Sequence, residues 1–318
     1  MSRSLRTVLL AALGFTLAAA CCFGQGGVTD STRNAQQVAA LHWYKANQTT
    51  TFAVGNFAMG IAYDGANMWV PSLTTNSVMK LRANDGAVLG TFTVGNYPDG
   101  VAYDGANMWV ANANDATVTK LRGSDGTTLG TFNTGSLPSG MAFDGANIWV
   151  ANSGSNNVTK LRASDGSVLG TFAVGQYPQH IAFDGSNVWV TNTGASTVTK
   201  LSGSGALLGT FTVGGNPRGI AFDGASMWVV CGATNNVYKL SAAGTVLGKF
   251  AVGTTPYGIA FDGANMWVVS FANSTVTKLA FNGAVLGTFN VGNGPEEIAF
   301  DGTHIWVVNV NDSTVSKL

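Results

Sequence analysis

Two ionisable residues in this sequence occupy a slot where its sister segments keep glycine. PQHIAFDG at residues 178–185 carries His180, where PDGVAYDG, PSGMAFDG, PRGIAFDG and PYGIAFDG carry glycine. PEEIAFDG at 295–302 carries Glu297 in the same slot. The position before it runs Met59, Asp99, Ser139, Gln179, Arg218, Tyr257 and Glu296. A histidine, an arginine, a tyrosine and three carboxylates can move protons or hold a charged ligand if the fold gathers them. The candidate ligand-binding residues are therefore Asp99, Gln179, His180, Arg218, Tyr257, Glu296 and Glu297. No nucleophile motif, phosphate loop or pair of catalytic carboxylates stands out. The histidines, His42, His180 and His304, lack the spacing of metal ligands. Neither a metal nor a cofactor is expected, and no residue is assigned a catalytic role. The aspartates of the recurring Asp-Gly pairs are read as turn residues that bond their own backbone, not as calcium ligands.

These residues sit in a repeat. Tyr/Phe-Asp-Gly recurs with its aspartate at 64, 104, 144, 184, 223, 262 and 301, and a tryptophan follows five residues later each time. The steps are 40 residues and then 39, the loss falling inside a turn. Each unit divides into four short segments rich in Val, Thr, Phe and Trp: GVAYDG, NMWVAN, TVTKL and TLGTFNTG in the second unit. Strand-length segments at this spacing, with no helical period, indicate an all-β fold. Four-stranded units of forty residues fit the blades of a seven-bladed β-propeller. The last unit stops after its third strand at STVSKL, and TTTFAVG at 49–55 matches a fourth. The N-terminal strand is expected to complete the last blade and close the ring, sparing an open edge. The seven tryptophans are read as packing residues.

The segments NVWVTN (187–192), WVAN and TVTKL make residues 49–318 resemble the YVTN and NHL families of propeller repeats, and the related virginiamycin B lyase-like propellers. That resemblance implies a seven-bladed ring, commonly outside the cytoplasm, but no single activity. In the lyase family a magnesium-assisted elimination opens a cyclic depsipeptide. Its two catalytic histidines follow the proline in consecutive blades, and a glutamate stands two residues before the second. The matching positions here are Tyr257, Glu296 and Gly294, and no blade has histidine directly after its proline. The groups of that reaction are not matched.

On a propeller, the residues after each proline ring the mouth of the central channel. His180 and Glu297 belong to units four and seven, nearly opposite, so a direct His–Glu contact is not expected. Asp99, Glu296 and Glu297 would form an acidic rim facing a basic one of His180 and Arg218. The loops of that face, among them NYPD, QYPQ and NGPE, vary most between units.

Ahead of the ring, Arg3 and Arg6 precede a 14-residue apolar run, Thr7–Ala20, too short to span a bilayer. Residues 1–20 read as a signal peptide and 21–48 as a linker with a short segment, AQQVAALHWYKAN, of helical pattern. Cys21 is a candidate for lipid attachment, although Ala18 replaces the usual leucine. The expected location is secreted or periplasmic, with no transmembrane segment after cleavage. Net charge is zero and no basic run occurs, which speaks against nucleic acid as a partner. The sequence points to an exported, non-catalytic propeller binding a small ligand, a polymer or a protein through its loop-rich face. The alternative is a lyase- or lactonase-type enzyme with a pocket at the channel.

Overall fold

β-Branched and aromatic residues favour extended backbone, and the Asp-Gly turns reverse it every few residues. In the computed structural model, which describes residues 50–318, this produces 28 strands in seven four-stranded sheets. Successive strands are antiparallel neighbours, so each repeat is one blade running from an inner to an outer strand. Blade four, for example, consists of Pro178–Phe183, Asn187–Asn192, Thr197–Ser202 and Leu207–Thr212. The protein is a seven-bladed β-propeller. The signal peptide, the linker, Cys21, His42 and the helical segment expected before residue 49 lie outside the described residues.

Blade seven takes its outer strand from the other end of the chain. Thr50–Ala53 pairs with Thr314–Lys317, Thr50 opposite Lys317 and Ala53 opposite Thr314. Phe52 stacks on Trp306 at 5.5 Å between ring centroids, as Phe92 stacks on Trp69 at 5.4 Å. The borrowed strand thus supplies both the ladder and the aromatic lid that every other blade makes for itself.

One polar unit recurs beneath this packing. In blade one, Asp64 Oδ1 accepts the backbone N–H groups of Ala66 and Asn67, at 2.9 and 2.7 Å, closing the turn. Its Oδ2 accepts the Trp69 Nε1–H at 2.7 Å, so the buried indole is satisfied. Lys80 Nζ lies over the Trp69 ring and donates to the Gly123 carbonyl of blade two at 2.6 Å. Equivalent lysines bond forward from blades two to five, and Lys317 donates to Ala83 O at 2.7 Å across the closing seam. The aspartates are turn residues, and the tryptophan and lysine partnerships explain why all three recur together.

The apolar core lies between blades. Trp109 and Val118 of blade two pack with Met141, Ile148 and Val150 of blade three, and Trp306 and Val308 pack with Met68 and Val70 of blade one. Cys231 is buried and, among the described residues, unpaired, and burial pushes its thiol up to about 12. Among the described residues no helix is long and apolar enough to cross a membrane.

Candidate functional site at the channel mouth

A regular strand sends successive side chains to opposite faces, so two neighbours do not normally reach one cavity. The inner strands of blades two to seven escape this rule through a bulge. In blade four Pro178 pairs with Asn192 and Ile181 with Val190, leaving Gln179 and His180 together opposite Thr191. Blade seven does the same between Pro295 and Ile298, which frees Glu296 and Glu297. A bulge bends the strand and re-aims its side chains. As a result Asp99, Gln179, His180, Arg218, Tyr257, Glu296 and Glu297 all line one cavity of about 220 Å³ at the centre of the ring. Met59 and Ser139 complete the mouth, and the aliphatic residues Ile61, Val101, Ile181, Ile220 and Ile259 form its apolar wall.

The bulge also explains the glycine slot. A Cβ on Gly60 would stand 2.5 Å from the Asp99 carbonyl oxygen, one on Gly219 2.5 Å from that of Tyr257, and one on Gly258 2.7 Å from that of Glu296. Each glycine therefore lets its strand lie against the inner strand of the next blade. The pressure on the slot comes from the neighbouring blade. Blade four admits His180 with a brace: the His180 N–H donates to the buried Thr191 Oγ1 at 3.0 Å. The other blades have Pro71, Ala111, Ala151, Val230, Val269 and Val308 at the position of Thr191. Blade seven faces blade one, whose inner strand is short, Ala62–Tyr63.

The expectation that His180 and Glu297 stand too far apart is overturned. His180 Nε2 and Glu297 Oε1 are 2.9 Å apart, joining blades four and seven across the channel. Nearly opposite blades meet because the inner strands converge so closely that two side chains span the gap. This contact joins one residue of the expected acidic rim to one of the basic rim. The pair is 27% and 22% exposed and lines the cavity.

Arg218 is placed differently. Its guanidinium carbon lies 3.7 Å from the centroid of the Tyr257 ring in the next blade, and that ring packs on Phe271. Among the described residues Arg218 has no hydrogen-bond or carboxylate partner, and its Nε is buried without one. The stacked ring holds the guanidinium plane, so its N–H edge remains available.

Burial pushes Glu296 up to about 8, with the Glu297 and Asp99 charges adding to it and Arg218 and His180 opposing. Asp99 rises to about 6 through burial and the Glu297 charge, against the pull of His180. For His180 burial disfavours the imidazolium, but the charge and hydrogen bond of Glu297, helped by Asp99, raise it above 6.5. The mouth thus holds a hydrogen-bonded imidazole–carboxyl pair, a guanidinium without a partner among the described residues, and two acids raised by burial. Such a set can bind and orient a charged ligand or pass a proton. Among the described residues no three His, Cys, Asp or Glu side chains are placed together to hold a metal ion.

Sequence reasoning missed Thr191 and an apolar arc around the mouth. Phe57, Tyr97, Leu137 and Tyr177, before the inner strands of blades one to four, are 42–60% exposed. Their φ angles are 50–59°, a left-handed conformation costly for such residues. Blades five to seven place Asn216, Thr255 and Gly294 there. The signal was the residue before each inner-strand proline, or before Ala58 in blade one, which changes from bulky to small or polar after blade four.

No protein-family model matches the sequence, and no curated protein does. Solved structures do match in shape. A catalytically inactive variant of virginiamycin B lyase from Staphylococcus aureus, solved with quinupristin, superposes with a TM-score of 0.73 at 19% identity, over 85% of this chain and 98% of that one. A streptogramin B lyase structure gives 0.74 at 17%, covering 85% and 96%. Hydrazine synthase from Kuenenia stuttgartiensis gives 0.74 at 18%, covering 92% and 99%. At these identities the likeness is one of fold: this chain shares the seven-bladed propeller of the streptogramin lyases, and shares it equally with a chain of a different enzyme.

Proposed function

We propose that this protein is an exported binding propeller that takes a small polar ligand at the channel mouth, without acting chemically on it. One observation carries the reading. Five charged side chains that do not repeat, Asp99, His180, Arg218, Glu296 and Glu297, come from blades two, four, five and seven and meet at one cavity. The charges that do repeat are engaged in packing, as the Asp–Trp–Lys units show. The apolar arc beside the mouth supplies a rigid surface for whatever the ligand is attached to, since exposed aromatic residues are effective anchors.

The test is a thermal-shift screen of amino acids, sugars, small carboxylates and amines on the full chain. It is repeated on the double variant His180→Gly/Glu297→Gly. Ligands that stabilise the parent should lose their effect on this variant or on Arg218→Gln. Hits unchanged in both would move the site elsewhere.

The His180–Glu297 contact favours a second reading, an enzyme of the lyase type, because an imidazole against a carboxylate is a workable base. Quinupristin, the compound in the lyase structure, separates the two. Binding without chemistry leaves it chromatographically unchanged after long incubation, and a ring-opened product would establish the enzyme.

A further inference from the structure

The charges at the mouth do not all satisfy one another, and the unsatisfied ones describe a ligand. His180 and Glu297 are engaged together at 2.9 Å. Arg82, Arg122 and Arg162 each pair with an aspartate at 3.0 Å, whereas Arg218 is held on Tyr257 with no carboxylate beside it among the described residues. Asp99 and Glu296 line the same cavity and likewise make no side-chain hydrogen bond among the described residues. Arg218 and Glu296 feel each other's charge but are not in contact. A guanidinium fork and two carboxyl groups that line one small cavity without pairing with each other complement a molecule bearing one carboxylate and one ammonium. Below them the wall is aliphatic, with Ile181, Ile220 and Ile259.

We infer that the mouth binds a free α-amino acid with an apolar side chain. Its carboxylate lies on the Arg218 fork, its ammonium lies between Asp99 and Glu296, and its side chain points along the aliphatic wall. This rests on the reading of the mouth as a binding site. A dianion such as phosphate is disfavoured by three acidic residues around one cavity. A lone amine would leave Arg218 without a partner, and a lone carboxylate would leave Asp99 and Glu296 without one.

The protons give the inference a signature. Burial keeps Glu296 protonated to about 8 and Asp99 to about 6, and an ammonium beside them favours their ionised forms. Binding should therefore release protons near pH 7, and affinity should rise between pH 6 and 8. Tyr257, raised above 10 by burial, stays neutral through this range.

Calorimetry on the full chain tests this with L-leucine and its two halves, 4-methylpentanoate and 3-methylbutylamine, at pH 6 and 8. Leucine should bind at least about tenfold more tightly than either half, more tightly at pH 8, and with proton release. Arg218→Gln should abolish leucine binding, and Arg218→Lys should restore part of it. Glu296→Gln should weaken binding and reduce the pH dependence. Circular dichroism melts of each variant exclude loss of fold. If either half, or inorganic phosphate, binds as well as leucine, the inference is overturned. It also fails if leucine does not bind while another screened ligand is lost in the His180→Gly/Glu297→Gly variant, an outcome that leaves the mouth a binding site. Absence of any ligand at the mouth overturns both readings.

Discussion

The glycine slot has two opposite consequences for mutation. At Gly100 an added methyl would meet the Ser139 carbonyl of the next blade, so Gly100→Ala should cost about 1–3 kcal/mol, the usual range for overpacking. Restoring glycine at 180 and 297 relieves no such contact and breaks only a partly exposed pair. The double variant should lose no more than about 0.5–1 kcal/mol per position, the scale of glycine's backbone entropy. Denaturant melts compare the two, and equal losses would show that the slot is not what separates them. The type of each mouth residue was legible in the sequence because it departs from a repeat. The meeting of His180 with Glu297 was not, because a blade count gives angular separation and says nothing about the channel's width.

At the scale of elements, two devices place the site. The bulge between Pro178 and Ile181 turns neighbouring side chains into one cavity, and the borrowed strand at Thr50–Ala53 fixes the ring that surrounds it. Closure was readable from a missing fourth strand at one end and a surplus one at the other. The bulge was not, since Pro-Gln-His-Ile reads as ordinary strand and only the register with Asn192 and Val190 shows the extra residue. Phe52 carries much of the closure: it stacks on Trp306, and its ring fills the space over Gly86 of blade one. Phe52→Ala should cost about 2–3 kcal/mol, at the low end for a large core truncation because Phe52 is partly exposed. It should also promote aggregation through the loosened edge of Thr314–Lys317. Denaturant melts and light scattering measure both, and a variant as stable and monodisperse as the parent would contradict this role.

At the scale of the molecule, the repeated and unrepeated acids should oppose each other in pH. For Asp64, Asp144, Asp184, Asp223, Asp262 and Asp301, burial works against ionisation. Hydrogen bonds from the indole and from turn N–H groups outweigh it and hold these carboxyls below their usual value. A lowered acid stabilises the fold above its unfolded pKa, and that stability is lost as pH falls through the folded value. Asp99, Glu296 and His180 are raised, so the folded state keeps protons that the unfolded chain has released. Their contribution is complete below the unfolded values and is lost as pH rises through about 6 for Asp99 and about 8 for Glu296. Thermal stability should therefore peak near pH 5, and Glu296→Gln should flatten the decline toward pH 8.5. A parent equally stable at pH 5 and 8.5 would contradict the buried setting of these acids. The most direct test of the mouth as the binding site is proton NMR of the histidine rings, titrated with pH and then with a ligand that stabilises the parent. His180 should titrate above 6.5, fall when Glu297 is replaced by glutamine, and shift on ligand addition while His304 on the opposite face does not. A His180 signal that titrates at or below 6.5, and that no stabilising ligand moves, would contradict the account.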